Sequence, residues 1–277
     1  MAPAAVTCTV VAVIAAKGGV GKTTLAANLC MALAERGNRV MGIDLDPQNA
    51  LRFHLVDDLQ PDDSGWAHAW IENCPWVDAM CAGRGGVVVL PFGSIDDEHQ
   101  MYIERHLSEH PNWLGETLTG FQLPNDTIVV LDTPPGPSAY LQQALRISHV
   151  NVVTLMADAG SFATLPIIER MVDKYCRPRA DFVANSYIVN QIDASKRLNR
   201  DVLQTLLSDL DLNILGAVHE DQALREALAA GVAIRRYAPT CQAVQDLAGC
   251  TDQLMLRLSL AAVQAPATQL KQRTGHH

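Results

Sequence analysis

The chain has 277 residues, of which 48% are apolar and 18% charged, and a formal net charge of −9. That apolar share can bury one substantial α/β core, and the negative balance argues against a protein whose main task is to coat nucleic acid, because such binding depends on neutralising phosphates. No apolar run reaches the roughly 18 residues of a membrane span, the opening MAPAAVTCTVVAVIAAK lacks the basic region of a secretory signal, and Cys8, Cys30, Cys74, Cys81, Cys176, Cys241 and Cys250 form no CxxC pair, which reads as buried thiols of a cytoplasmic protein.

Residues 9–15, TVVAVIA, predict a strand buried on both faces. The stretch AAKGGVGKTT (15–24) follows, and then TTLAANLCMALAERG predicts a helix with Leu25, Leu29, Ala32 and Leu33 on one face and Gly37 as its stop. Further strands are expected at 39–45, 86–92, 127–132, 151–157, 181–190 and 213–218, and helices at 164–176 and 195–210. Strands alternating with helices predict an α/β fold, a doubly wound, mostly parallel sheet with helices on both faces. One domain is expected over 1–260. The remainder, 261–277, is expected to be a flexible tail whose RTGHH reads as a tag remnant. Residues 57–120 are the least regular. They hold all four tryptophans, and the segment from Trp66 to Trp76 is open between core and interface.

Placed between a strand and a helix, the backbone N–H groups of Gly18, Gly19, Val20 and Gly21 can form a nest for a phosphate, which the positive end of the helix stabilises. Glycine is required where the backbone must approach closely or take conformations that a Cβ forbids. Lys22 then reaches the β- and γ-phosphates, and the Thr23 hydroxyl can ligate Mg²⁺. This is a Walker A loop, with Thr24 completing the candidate binding stretch. Ala16 stands where the strict pattern has glycine.

An ordinary loop of this kind does not need Lys17. KGGVGKTT resembles the deviant Walker A of the MinD/ParA superfamily, in which this lysine crosses a dimer interface to the partner's nucleotide. The resemblance implies a homodimer sandwiching ATP, with Lys17 acting in trans as an arginine finger does. GIDLDPQNA (42–50) resembles the superfamily's switch I, which implies that Asp46 positions or activates the attacking water and Asp44 holds the hydration shell of magnesium. VVLDTPPG (129–136) resembles Walker B and switch II, which puts Asp132 on Mg²⁺ through water. Lys17, Lys22 and Asp46 are the candidate catalytic residues, and Thr23, Asp44 and Asp132 the candidate metal residues. In YIVNQID (187–193), Asn190 stands where the superfamily contacts adenine, and its amide both donates and accepts. The segment 218–231 resembles the loop that closes over the base.

The superfamily resemblance covers residues 9–258. A partitioning ParA needs a basic DNA face, for which the candidates are Lys196, Arg197, Arg200, Arg235 and Arg236, and these read as solvated helix faces. A MinD-type regulator is expected to end in a basic amphipathic helix, and APATQLKQRT is not one. SGWAHAWIEN (64–73), VVVLPFGSI (87–95) and VHEDQALREALAAGVAIRRYAP (218–239) together resemble the MinD-like ATPases of bacterial cellulose-synthase operons, the BcsQ type. That resemblance implies a cytoplasmic accessory factor that works with small operon-encoded partners and the inner-membrane cellulose synthase. A cycling ATPase and a nucleotide-locked scaffold both remain open.

Overall fold

The computed structural model describes residues 6–57, 64–210 and 213–264. The order of elements is β1 (Thr9–Ile14), α1 (Lys22–Glu35), β2 (Arg39–Asp44), α2 (Leu51–Leu55), α3 (Trp66–Ile71), β3 (Cys81–Ala82), β4 (Val88–Leu90), α4 (Asp97–Glu109), α5 (Trp113–Gly120), β5 (Thr127–Asp132), α6 (Ala139–Leu145), β6 (Val150–Met156), α7 (Ala159–Tyr175), β7 (Ala184–Ile192), α8 (Arg197–Leu210), β8 (Ile214–His219), α9 (Gln222–Ala229), α10 (Ile234–Tyr237) and α11 (Gln242–Gln264). The strands form one sheet in the order β3-β4-β2-β5-β1-β6-β7-β8. Every neighbouring pair is parallel except β3 with β4.

β1 lies at the centre of the sheet, between β5 and β6. Its alternation divides the core, with Val10, Ala12 and Ile14 on one face and Val11 and Val13 on the other. The first face is covered by α3 to α8 and the second by α1, α2 and α9 to α11. Such burial supplies about 1.5–3 kcal/mol for each large aliphatic side chain. This is the expected doubly wound architecture. Because adjacent connections leave β1 toward opposite sides, the carboxyl ends of β1, β2 and β5 open a crevice where such sheets bind ligands.

Several boundaries move for physical reasons. α1 is buried continuously from Leu25 to Leu33, not on one stripe, because β1 and β2 cover one side while α2 and α11 cover others. β4 is shorter than 86–92 because Gly85 and Gly86 turn the chain at positive φ just before it. β7 starts at Ala184, three residues late, since residues 179–182 form a turn, and it runs to Ile192, which pairs with His219. α7 starts five residues early, because the Asp158 carboxylate accepts from Ser161 N–H and caps it, and Pro166 lies inside the helix. β3, two residues long and antiparallel, has no periodicity to announce it.

Within the tryptophan segment, Trp66 and Trp76 are core, whereas residues 72–75 between them are exposed. Trp66 is completely buried, and its ring meets those of Trp76, Phe92, Trp113 and Tyr140 at centroid distances of 4.8–6.4 Å. Gly65 makes this possible: a Cβ there would lie 2.1 Å from Gly93 N. Cys8, Cys30, Cys176 and Cys250 are buried free thiols, whereas Cys74 is exposed. Burial pushes the Cys8 thiol up to about 11. The expected tail, 261–277, lies almost wholly outside the described residues.

Candidate functional site

β1 delivers the chain into the glycine loop, and α1 begins at Lys22. Gly21 caps that helix at φ 82°, a left-handed conformation, and a Cβ on it would come within 2.3 Å of Asn190 Nδ2. Ala16 takes no positive φ, so the missing first glycine is not needed there. The loop is tied to the segment after β5 by Gly136 N–H donating to Ala15 O at 2.9 Å. Thr133 hydroxyl adds a bond to Val13 O at 2.9 Å.

Lys22 turns inward. Its ammonium lies 2.5 Å from Asp132 Oδ1 and 3.8 Å from Asp46 Oδ2, and its side chain is 6% exposed. Asp44, Asp46 and Asp132 are all buried, and the ends of β2 and β5 bring two of these carboxylates, Asp46 and Asp132, to Lys22. Asp44 is held by backbone: its Oδ1 accepts from Asp46 N–H and its Oδ2 from Leu51 N–H, each at 2.9 Å. Trp66 Nε1–H donates to the carbonyl of the same residue at 2.7 Å.

Burial lifts the Asp44 carboxyl well above the ordinary carboxylate range, and the neighbouring Asp132 charge lifts it further, against the two backbone N–H bonds. Burial also raises Asp132, opposed by Lys22 and by the Thr23 side chain beside it. Asp132 Oδ2 is buried with no hydrogen-bond partner among the described residues. The oxygens that suit a hard divalent cation are the orphaned Asp132 Oδ2 and the Thr23 hydroxyl beside that carboxylate; no cluster of three or more His, Cys, Asp or Glu side chains spaced for a metal occurs among the described residues.

Lys17 turns outward. Its side chain is 48% exposed, and its Nζ lies 3.3 Å from Asp158 Oδ2, at the cap of α7. The two lysines of the loop therefore have different surroundings, one sunk among carboxylates and one at the surface.

On the far side of the loop, a cleft of about 120 Å³ opens between the ends of β7 and β8 and the first turn of α1, lined by Gly21, Thr24, Asn190, His219 and Leu224 among others. Asn190 Nδ2 donates to Val20 O at 2.8 Å, so one of its hydrogens is committed to the loop while the amide borders the cleft. Glu220 and Arg225 pair with each other at 2.7 Å. The basic residues considered for a DNA face are largely compensated. Lys196 pairs with Asp193, Arg197 with Asp201 and Arg235 with Glu35 at 2.9, 3.6 and 3.2 Å.

Sequence reasoning missed three partners at this site: Asp158 for Lys17, the Trp66 indole for Asp44, and the His219 ring in the cleft. The first had a local signal, since DAGS after a strand is an Asp N-cap pattern.

A glycine loop after the central strand, with aspartates ending β5 beside it and β2 one strand further out in a doubly wound sheet, defines a MinD/ParA-type P-loop ATPase. The family model described as cellulose biosynthesis protein BcsQ matches residues 8–253. The chain belongs to that family. It is 24% identical over 251 residues to the cellulose biosynthesis protein BcsQ of Escherichia coli, which spans 88% of this chain and 92% of that protein. It is 28% identical over 255 residues to the chromosome-partitioning ATPase Soj of Thermus thermophilus, across 88% of this chain and 94% of the other. The solved structure of the septum site-determining protein MinD from Pyrococcus horikoshii, complexed with Mg-ADP, has a TM-score of 0.71 at 22% identity, covering 93% of this chain and 99% of that one. At that identity the likeness is one of fold. No described helix is long and apolar enough to cross a membrane.

Proposed function

We propose that this chain is an ATP-dependent, dimerising accessory factor for bacterial cellulose synthesis and secretion. Two copies face each other across paired Mg-ATP molecules, and the dimer recruits or regulates small operon-encoded partners and the inner-membrane cellulose synthase. Family membership supports the link to cellulose, and the compensated basic residues weigh against a DNA-partitioning role.

The observation that carries the dimer reading is the division between the two loop lysines. Lys22 is buried beside the strand-end aspartates, where it serves phosphates bound to its own chain. Lys17 is half-exposed at the mouth, held by a single carboxylate in a solvent-screened pair worth at most about 1 kcal/mol. It is free to leave that partner for an anion presented by a second copy.

The remaining roles follow from position. The N–H groups of Gly18, Gly19, Val20 and Gly21 bind phosphate oxygens, with Thr24 and Asn190 bordering the base cleft. Thr23, Asp44 and Asp132 hold the magnesium ion and its waters. That ion supplies positive charge to the phosphates when bound. Asp46, with one oxygen accepting from Gln48 N–H at 3.0 Å and the other beside Lys22, is placed to orient a water.

Light scattering after size exclusion, with and without Mg-ATP, tests the reading on the wild type, Lys17→Ala and Lys22→Ala. The wild type is expected to dimerise with nucleotide, Lys17→Ala to bind nucleotide yet stay monomeric, and Lys22→Ala to lose binding. A Lys17→Ala chain that dimerises like the wild type refutes the trans role. Phosphate release, measured alongside, separates a cycling ATPase from a nucleotide-locked dimer.

A further inference from the structure

His219 is the last residue of β8 and faces the cleft beside Asn190. Asp246, on the first turns of α11, grips it twice. The Asp246 Oδ2 accepts from His219 N–H and lies 2.9 Å from the ring's Nδ1. The other oxygen of Asp246 accepts from Gln242 Nε2 at 2.8 Å, and the carboxylate side chain is 11% exposed. An imidazole so held carries its hydrogen on Nδ1 toward the carboxylate, which leaves Nε2 as an acceptor in the neutral ring.

The other polar side chains around the cleft are largely committed. Asp221 accepts from Ala223 N–H at 3.0 Å and Ala243 N–H at 3.3 Å, Glu220 and Arg225 hold each other, and Asn190 spends one hydrogen on Val20 O. His219 Nε2 has no partner among the described residues. It is therefore an oriented acceptor, unspent, on the wall of the cleft that Asn190 also borders.

We propose that His219 selects the base. Its Nε2 accepts a hydrogen from the exocyclic amino group of a purine in the cleft, and Asp246 acts as its positioning residue. The inference rests on the reading above, that the cleft takes the base of a bound nucleotide. An acceptor here favours a 6-aminopurine. It is indifferent to a purine bearing hydrogen at that position, and it opposes a 6-oxo purine, whose carbonyl sets lone pair against lone pair.

Isothermal titration with Mg²⁺ and three nucleotides tests this: ATP, GTP and purine riboside triphosphate, which lacks the amino group. One net hydrogen bond corresponds to roughly a three- to tenfold difference in affinity. The wild type is expected to prefer ATP over purine riboside triphosphate by that factor, and GTP least. In His219→Ala, ATP is expected to weaken to the level of purine riboside triphosphate, whose own affinity is unchanged. His219→Gln, which returns an acceptor, is expected to restore part of the difference. Asp246→Ala is expected to shrink it by releasing the ring.

Equal affinity of the wild type for ATP and purine riboside triphosphate overturns the assignment. So does a His219→Ala variant that weakens both nucleotides alike. If the wild type binds none of the three, the nucleotide reading of the cleft falls as well, whereas ATP binding without discrimination at the 6-position removes His219 alone.

Discussion

Replacing Trp66 by phenylalanine isolates the link between the tryptophan core and the strand-end aspartates. The indole is fully buried and donates to the Asp44 carbonyl at 2.7 Å. Removing a buried donor of this kind costs about 1–3 kcal/mol, since the carbonyl loses a partner that water cannot replace. The smaller ring also leaves a void of roughly 40 Å³ among Trp76, Phe92, Trp113 and Tyr140, worth about 1 kcal/mol more. The sum is about 2–4 kcal/mol, on the order of 5–15 °C in Tm for a chain of this size. Trp113→Phe is the control. It packs on Trp66 and Trp76 in the same cluster, but its indole N–H has no partner among the described residues, so only the packing loss of about 1 kcal/mol is expected. Urea unfolding followed by circular dichroism measures both, and an unchanged slope shows that stability alone has moved. If Trp66→Phe costs no more than Trp113→Phe, the hydrogen bond contributes nothing and the reasoning fails.

Because burial raises both Asp44 and Asp132, the folded chain holds their protons more tightly than the unfolded one does, and the stability they contribute falls as pH rises from 3.8 through their higher folded values. The urea midpoint of nucleotide-free protein is therefore expected to decline across that window less steeply in Asp132→Asn than in the wild type; a parallel decline contradicts the burial argument. Asp158→Asn keeps the α7 cap, since asparagine caps as well as aspartate, and removes only the exposed ion pair to Lys17, so the expected loss is under about 1 kcal/mol by thermal melting. Gly21→Ala must hold alanine at φ 82° and drive Asn190 from Val20, for which a loss of roughly 2–3 kcal/mol and at least tenfold weaker ATP binding in titration are expected.

What could be read in advance was local. The glycine loop, the apolar strands and the aspartates that end β2 and β5 each carry their signal within about ten residues, so both the sheet and the place of the glycine loop within it were legible. The partners that set the electrostatics were not. Lys17 and Asp158 are 141 residues apart, Lys22 and Asp132 110, Asp44 and Trp66 22, and His219 and Asp246 27. Their meeting depends on how helices pack, which no periodicity encodes. Asp132 was still found because its strand end has a recognisable sequence, whereas Asp246 lies on a helix whose pattern is ordinary. The helix expected from residue 164 starts five residues earlier, at Ala159, because Asp158 caps it there, and Pro166 sits in its interior.

The arrangement at Lys22 also constrains what can enter the site. One ammonium pairs with two buried carboxylates, Asp46 and Asp132, beside a third, Asp44, and the environment already resists the ionised forms of Asp44 and Asp132. A triphosphate brought in alone would set several more negative charges beside Asp44, Asp46 and Asp132, and Lys22 cannot serve both the phosphates and Asp132 at full strength. On the proposed reading, a cation bound with the nucleotide would relieve the conflict; Asp132, whose Oδ2 has no hydrogen-bond partner among the described residues, would help hold it, and Lys22 would serve the phosphates. The metal would then answer the protein's own charges, and Lys17, outside that cluster and held by one screened carboxylate, would be the lysine left for a second chain.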